Sequence, residues 1–131
     1  MIAVDTSAFI AILQDEPECA HFLACLDNAN QVIVSAASLL EARMVLYPCN
    51  PALLDKLSAL LFTLNARIEP VTATQSDIAF EAFRRFGKGT RHKAGLNFGD
   101  CFGYALAIER NAPLLFKGDD FIHTDVKPFK V

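Results

Sequence analysis

Apolar and polar positions alternate along the chain in a way that predicts strands and helices in turn. Residues 2–4 form a short apolar run, and an apolar helix is expected from there to about Leu13. A second short strand is expected at 32–34, and another in the run LLF that begins at Leu114. Strands that are apolar at every position are typical of a parallel sheet covered by helices on both faces.

The predicted element boundaries depend on a few residues with capping or helix-breaking properties. Thr6 or Ser7 is expected to cap the first helix, and Pro48 is expected to end the helix that follows the second strand. Thr74, with an acid three residues later, predicts the start of another helix. Residues 126–131 are a candidate for a last strand. Helices and strands therefore alternate throughout, which predicts a three-layer α/β/α sandwich with a central, mostly parallel sheet.

Length and composition suit one packed domain. The chain has 131 residues, of which 53% are hydrophobic, so we expect residues 1–131 to form a single domain. The longest uncharged stretch, residues 28–40, is too short and too polar to cross a bilayer, and Met1 does not begin a secretory signal. The sequence therefore predicts a cytoplasmic protein without a membrane segment.

Basic side chains are concentrated in one segment although the net charge is −3. Of the 12 lysines and arginines, five lie within ten residues: Arg84, Arg85, Lys88, Arg91 and Lys93. The overall charge argues against a protein that coats nucleic acid in general, whereas a basic strip beside an acidic pocket could hold an RNA backbone. The alternative is that the strip is a solvated run of surface charges.

Four acidic segments that are distant in the sequence are predicted to meet at one edge of the sheet. Asp5 directly follows the first strand, and Asp119 follows the last apolar run. Asp100 lies in the first turn of a predicted helix, and Glu41 lies on a helix entered from the same edge. Ligands of parallel sheets bind outside the carboxyl ends of the strands. Clustered carboxylates repel one another unless a divalent cation offsets their charge, and oxygen ligands select Mg²⁺ or Mn²⁺.

Each acid also has an ordinary structural explanation. Asp5 could be a helix cap, Glu41 a solvated helix residue, and Asp100 a first-turn acid favoured by the helix dipole. Asp119 and Asp120 could simply form a turn. The prediction of a metal site therefore depends on the whole constellation rather than on any one member.

The segments that carry these acids resemble those of the PIN-domain family, in particular the VapC-type toxins of bacterial toxin–antitoxin pairs. In order, and over nearly the whole chain, they are VDTSAFIAIL, SAASLLEARMVL, AGLNFGDCFGYALA and PLLFKGDDFIHTDV. The resemblance implies that residues 1–131 are one PIN domain. It also implies that Asp5, Glu41, Asp100 and Asp119 bind the metal, with Thr6 beside them.

The chain departs from the family pattern at one point. Many relatives have Ser or Thr two residues before the fourth acid, where this sequence has Lys117. The doublet leaves Asp119 or Asp120 as the fourth acid, and the sequence favours Asp119. Lys117 would then lie near the scissile phosphate.

The resemblance implies an endoribonuclease that depends on Mg²⁺, with Mn²⁺ as an alternative, and that cleaves phosphodiesters by metal-activated water. It further implies a homodimer, a cognate VapB-type antitoxin and an RNA substrate, most commonly transfer RNA. Thr6, Lys117 and the five basic residues of the strip are the candidates for RNA binding.

Three other classes of protein share some of these sequence features. A catalytically inactive PIN-like scaffold could bind RNA without cutting it, although all four acids are retained here. A haloacid-dehalogenase-type phosphatase also has an Asp after its first strand, but it needs a second acid two residues later, where this chain has Ser7. A receiver domain pairs two acids at the end of that strand, and the pair is missing here.

Overall fold

A computed structural model describes residues 1–129 and contains a four-stranded parallel sheet between two layers of helices. This confirms the α/β/α sandwich expected from the sequence. In chain order the elements are β1 (Ile2–Val4), α1 (Thr6–Leu13), α2 (Cys19–Asp27), β2 (Val32–Ser35), α3 (Ala36–Cys49), α4 (Ala52–Thr63), β3 (Arg67–Glu69), α5 (Ala73–Phe86), α6 (Phe98–Glu109), β4 (Leu114–Leu115) and a 3₁₀ helix (Phe121–His123).

The strands separate two hydrophobic cores because their side chains alternate between the two faces of the sheet. Ile2 and Val4 of β1 belong to a core shared with helices α1 to α4, whereas Ala3 belongs to a core shared with α5 and α6. All three of these side chains are fully buried or nearly so. This explains why β1 is apolar at every position rather than at every second one.

The strand order places a ligand-binding crevice beside β1. The order is β3-β2-β1-β4, and all neighbouring pairs are parallel. The chain therefore moves outward from β1 to β3 and then crosses the other face of the sheet to add β4 on the opposite side of β1. The carboxyl ends of β1 and β4 border this reversal, which is where open α/β sheets bind ligands.

Three predicted helix boundaries differ from the observed ones. Helix α1 is capped by Asp5 rather than by Thr6 or Ser7, because the Asp5 carboxylate accepts the amide hydrogen of Ser7 in the first turn; this confirms the helix cap that the sequence left open as an alternative role of Asp5. Helix α5 is capped by Thr72 rather than by Thr74. Pro48 does not end α3, which continues to Cys49. A proline in the last turn removes only its own backbone N–H donor and leaves the hydrogen bonds of the earlier turns intact.

The C-terminal segment adds little to the sheet. Leu114 forms a parallel bridge with Pro128, and its amide donates to the Lys127 carbonyl at 2.8 Å. The rest of the predicted last strand, residues 130–131, lies outside the described residues. Within residues 1–129, every helix falls short of the length and apolar character needed to cross a membrane.

Candidate functional site

Asp5 is buried at the carboxyl end of β1. Asp5 is 2% exposed, and its Oδ2 accepts hydrogen bonds from the Ser7 amide at 3.0 Å and the Ser7 hydroxyl at 2.6 Å. Its other oxygen, Oδ1, is buried without a hydrogen-bond partner in the described part of the chain. Burial raises the pKa of Asp5 to about 7; the bonds from Ser7 lower it, and the charges of Asp100 and Glu41 raise it. Because an unpaired buried carboxylate is costly, Oδ1 is a candidate cation ligand.

Two glycines allow α6 to lie directly against the acids. A Cβ at Gly103 would come 3.0 Å from Asp5 Oδ1, and a Cβ at Gly99 would come 2.6 Å from the carboxyl carbon of Glu41. The two positions are one turn apart and share a face of the helix, so Asp5 and Glu41 both contact that face. Sequence reasoning missed both glycines. Their four-residue spacing in an apolar helix is the signal that could have revealed the close approach.

Asp100 has both a structural and an electrostatic role at the start of α6. Its Oδ2 accepts from the Asn97 amide at 3.0 Å, while the Asn97 side chain accepts from the Asp100 amide, which completes a capping box. Burial raises the pKa of Asp100, the bond from Asn97 lowers it, and the negative charges of Asp120 and Glu41 raise it. The cap uses one oxygen, so a helix cap and a metal ligand are compatible roles for this residue.

The acidic doublet after β4 is related to the other acids through the charge of one of its members. Of its two members, Asp120 is the one whose charge raises the pKa of Asp100. Asp119 and Asp120 are both exposed, and they follow Gly118, whose φ of 96° turns the chain. Asp119 as the fourth acid stays a prediction, but the electrostatics favour Asp120.

Thr6 and Ser38 join the start of helix α1 to helix α3 next to Asp5. The Thr6 hydroxyl donates to the Ser38 carbonyl at 3.0 Å, so it is turned towards α3. Ser38 is buried, and its hydroxyl has no hydrogen-bond partner within residues 1–129. Sequence reasoning gave Ser38 no chemical role, although its position one turn before Glu41 places it on the same side of the helix.

The acids do not form a closed metal cage. Across residues 1–129, no three acidic, histidine or cysteine side chains are close enough together to enclose an ion. Asp5 and Asp100 each use one oxygen for a protein hydrogen bond. Mg²⁺ tolerates this arrangement because it keeps several of its waters and needs one or two carboxylates besides substrate phosphates. The donors therefore fit a hydrated Mg²⁺ or Mn²⁺ better than a four-ligand zinc site.

The predicted basic strip divides into two parts. Arg84 forms an ion pair with Glu81, and Arg85 forms one with Asp125 at 3.4 Å. The other three residues of the strip are exposed between α5 and α6, without an ion pair in the part of the chain described: Lys88, Arg91 and Lys93.

Lys117 is also paired. Its Nζ lies 2.7 Å from Glu16 Oε1 and 3.3 Å from Glu18 Oε2. The hydrogen bond to Glu16 and, to a smaller degree, the one to Glu18 raise the pKa of Lys117 above its ordinary value. The ammonium group thus already has carboxylate partners before any RNA arrives.

Comparison with known proteins gives a consistent result. The family model of the PIN domain matches residues 2–127. Ribonuclease VapC28 of Mycobacterium tuberculosis is 49% identical over 125 residues, which cover 95% of this chain and 94% of that protein. Ribonuclease VapC of Mycolicibacterium smegmatis is 42% identical over 127 residues, with 95% and 97% covered.

Solved structures at lower sequence identity share the fold of this chain. VapC20 of Mycobacterium tuberculosis, described as a sarcin-ricin loop cleaving toxin, has a TM-score of 0.77 at 20% identity and covers 96% of each chain. VapBC2 of Rickettsia felis, bound to a DNA fragment from its promoter, has a TM-score of 0.76 at 16% identity, with 99% of this chain and 98% of that chain covered. Together with the sequence matches, these findings show that the chain belongs to the PIN-domain family, among the VapC ribonucleases.

Proposed function

We propose that this protein is a metal-dependent endoribonuclease and the toxin of a toxin–antitoxin pair. The relatives named ribonucleases match the chain almost from end to end, and so the same activity is the simplest expectation. Within the site, the observation that carries the proposal is the buried Oδ1 of Asp5, which lacks a hydrogen-bond partner in the described residues and belongs to a carboxyl group whose pKa is raised by burial and by the charges of Asp100 and Glu41.

Each acid has a separate task in this proposal. Asp5 holds the cation through Oδ1, while Ser7 fixes the orientation of the carboxylate through Oδ2. Asp100 supplies a second carboxylate from a helix start that its own capping box makes rigid. Glu41 and Asp120 add negative charge that acts on Asp100. When bound, Mg²⁺ stabilises the charge of a phosphodiester under attack and makes water a stronger nucleophile.

Partners and substrate extend the proposal. The VapBC2 structure supports a VapB-type antitoxin as the partner of this chain, and a homodimer is the assembly we propose. The substrate class is RNA, with transfer RNA still a prediction, and the cytoplasmic location is likewise a prediction. A phosphatase of the haloacid-dehalogenase type is not supported, because the chain belongs to the PIN-domain family and Ser7 replaces the acid that such an enzyme needs.

The direct test is cleavage of total cellular RNA by the purified protein with Mg²⁺, with Mn²⁺ and with EDTA. We expect cleavage with either metal and none with EDTA. Asp100→Asn keeps the shape of the side chain but removes its charge, so its cleavage rate should fall by about 100-fold. Its melting temperature should stay close to that of the unmodified protein.

Asp55→Asn is the matched control, since Asp55 is also a first-turn helix acid but belongs to α4. It should cleave RNA at the unmodified rate. Full activity of Asp100→Asn would mean that Asp100 is merely a helix cap. A folded protein that binds RNA but never cuts it would instead support the inactive scaffold.

A further inference from the structure

Lys117 connects the loop after β4 to the connection between α1 and α2. Its ammonium group lies between Glu16 and Glu18, at 2.7 and 3.3 Å, and both glutamates belong to the connection between α1 and α2. That connection is itself fixed, because the Glu16 amide donates to the Ala11 carbonyl at 2.9 Å. The ion pairs therefore attach the loop to a segment with its own hydrogen bonds.

The backbone of Lys117 is linked to Asp5 through one hydroxyl group. The Lys117 amide donates to Ser7 Oγ at 3.0 Å, and this hydroxyl donates its single proton to Asp5 Oδ2 at 2.6 Å. If the loop moves, the Ser7 hydroxyl loses the donor that favours this orientation. The position of Lys117 thus affects the carboxylate that is proposed to bind the metal.

The loop beyond Lys117 carries the acidic doublet but has few anchors of its own. Gly118 adopts a positive φ, and a side chain there would meet no atom within 4 Å. Asp119 and Asp120 are exposed, and the next buried residue is Phe121, which is 2% exposed. The three residues between Lys117 and Phe121 are therefore held mainly at their two ends.

We propose that Lys117 is a positioning residue of the metal site, which holds the loop after β4 and its acidic doublet in place so that Ser7 keeps its bond to Asp5. We call its ion pairs with Glu16 and Glu18 the Lys117 clamp. The inference rests on the proposed metal-dependent function, and it differs from the sequence-based hypothesis that Lys117 contacts the scissile phosphate. Two carboxylates already neutralise the ammonium, which leaves little charge for a phosphate.

The first experiment measures Mn²⁺ binding to the RNA-free protein by electron paramagnetic resonance. Lys117→Met should weaken binding about tenfold, as loss of an outer-shell partner typically does. The direction of the change in Mn²⁺ affinity is decisive, because the loss of a nearby positive charge would by simple electrostatics strengthen cation binding, whereas the loss of the clamp weakens it. Lys117→Arg, which keeps the charge and can bridge two carboxylates, should retain most of the affinity. Lys56→Met is the control, because Lys56 is an exposed lysine of α4.

The second variant removes the other half of the clamp. E16Q/E18Q keeps Lys117 and should weaken Mn²⁺ binding to the same degree, and adding Lys117→Met to it should cause no further loss. Hydrogen exchange of the Lys117 amide should accelerate in E16Q/E18Q, because its bond to Ser7 is no longer held in place. If Lys117→Met does not fold, Mn²⁺ binding and hydrogen exchange of E16Q/E18Q by themselves test the proposal.

RNA binding in EDTA separates the clamp from a phosphate contact. The clamp predicts that Lys117→Met leaves the salt dependence of RNA binding unchanged. A phosphate contact predicts that Lys117→Met lowers the slope by about 0.7 and that E16Q/E18Q, which frees the ammonium, tightens RNA binding. That result would overturn the proposal, as would unchanged or tighter Mn²⁺ binding by Lys117→Met. Unmodified protein that binds Mn²⁺ but cuts no RNA would contradict the proposed function while leaving the clamp intact.

Discussion

A carboxylate enclosed by protein is unstable in its charged form, and Asp5 is held in this condition by the fold. Burial is the main reason that its pKa is raised to about 7, because the hydrogen bonds from Ser7 do not replace the lost water. The site is therefore best suited to bind a cation at or above neutral pH. Below that range a proton competes with the cation for Oδ1.

The pH dependence of stability tests this property of Asp5. The folded protein holds a proton on Asp5 between pH 3.8 and about 7, whereas the unfolded chain does not. The free energy of unfolding should therefore fall as the pH rises through this range and level off above it, by about 4 kcal/mol in total. Asp5→Asn removes this contribution. The free energy of unfolding of Asp5→Asn should therefore equal that of the unmodified protein near pH 4 and be higher than it at pH 8 in EDTA.

Thermal unfolding of both proteins from pH 4 to pH 8 measures the difference, and Asp55→Asn serves as the control that keeps the unmodified profile. Mg²⁺ should restore stability at pH 8 for the unmodified protein but not for Asp5→Asn. A difference between the two proteins that stays constant with pH would contradict the raised pKa.

The fourth acid can be identified by comparing the two members of the doublet. The charge of Asp120 acts on Asp100, so Asp120→Asn should lower RNA cleavage about tenfold or more. Asp119→Asn should cleave at nearly the unmodified rate. Initial rates at saturating Mg²⁺ measure both, and the reverse ranking would restore the sequence-based preference for Asp119.

Helix starts are the elements that bring the acids to the sheet edge. Asp5 caps α1, Ser35 caps α3 and leads to Glu41, and Asn97 caps α6 together with Asp100. The same side chains or their immediate neighbours thus both begin the helices and line the pocket. The sequence predicted a helix after each of these three positions, but nearby Ser and Thr residues left the capping residues of α1 and α5 uncertain by one or two residues.

A comparison of two helix N-caps can distinguish an effect on stability from an effect on RNA cleavage. Asn97→Ala and Thr72→Ala each remove a cap and should lower the free energy of unfolding by about 1 kcal/mol. Cleavage should fall several-fold for Asn97→Ala alone, since the first turn of α6 carries Asp100, whereas Thr72 begins α5. Urea unfolding and RNA cleavage measured on both variants test this. Equal cleavage by the two would show that the α6 cap has no functional role.

The whole molecule combines an acidic pocket with a basic surface, and the ion pairs decide which basic residues can bind RNA. Arg84 and Arg85 have acidic partners, whereas no ion pair is found for Lys88, Arg91 and Lys93 within residues 1–129. The three side chains between α5 and α6 are therefore the stronger candidates for contacts with the RNA backbone.

Salt titration of RNA binding in EDTA tests this assignment. The triple variant K88A/R91A/K93A should lower the slope of log affinity against log salt by about 2, because three phosphate contacts of single-stranded RNA are lost. The variant R84A/R85A should change this slope less. The Mn²⁺ affinity should be unaffected in both variants. Equal slopes in all three proteins would mean that the strip is only a solvated run of charges.

The sequence by itself determined the layer architecture and the candidate acids. Apolar runs without alternation predicted a parallel sheet with two covered faces, and an acid directly after β1 could be placed at the sheet edge because parallel strands all end on the same side. These features depend on residues close together in the chain or on a topology with few alternatives.

The tertiary structure decided which groups are left to do chemistry. Whether Asp5 Oδ1 has a partner, whether Lys117 is free, and which charges act on Asp100 all depend on side chains that are far apart in sequence. The approach of α6 to Asp5 depends on Gly103, which leaves room for the Asp5 carboxylate against the helix. Local patterns contain no record of such contacts, because hydrogen bonds and ion pairs between distant segments form only once the core has packed.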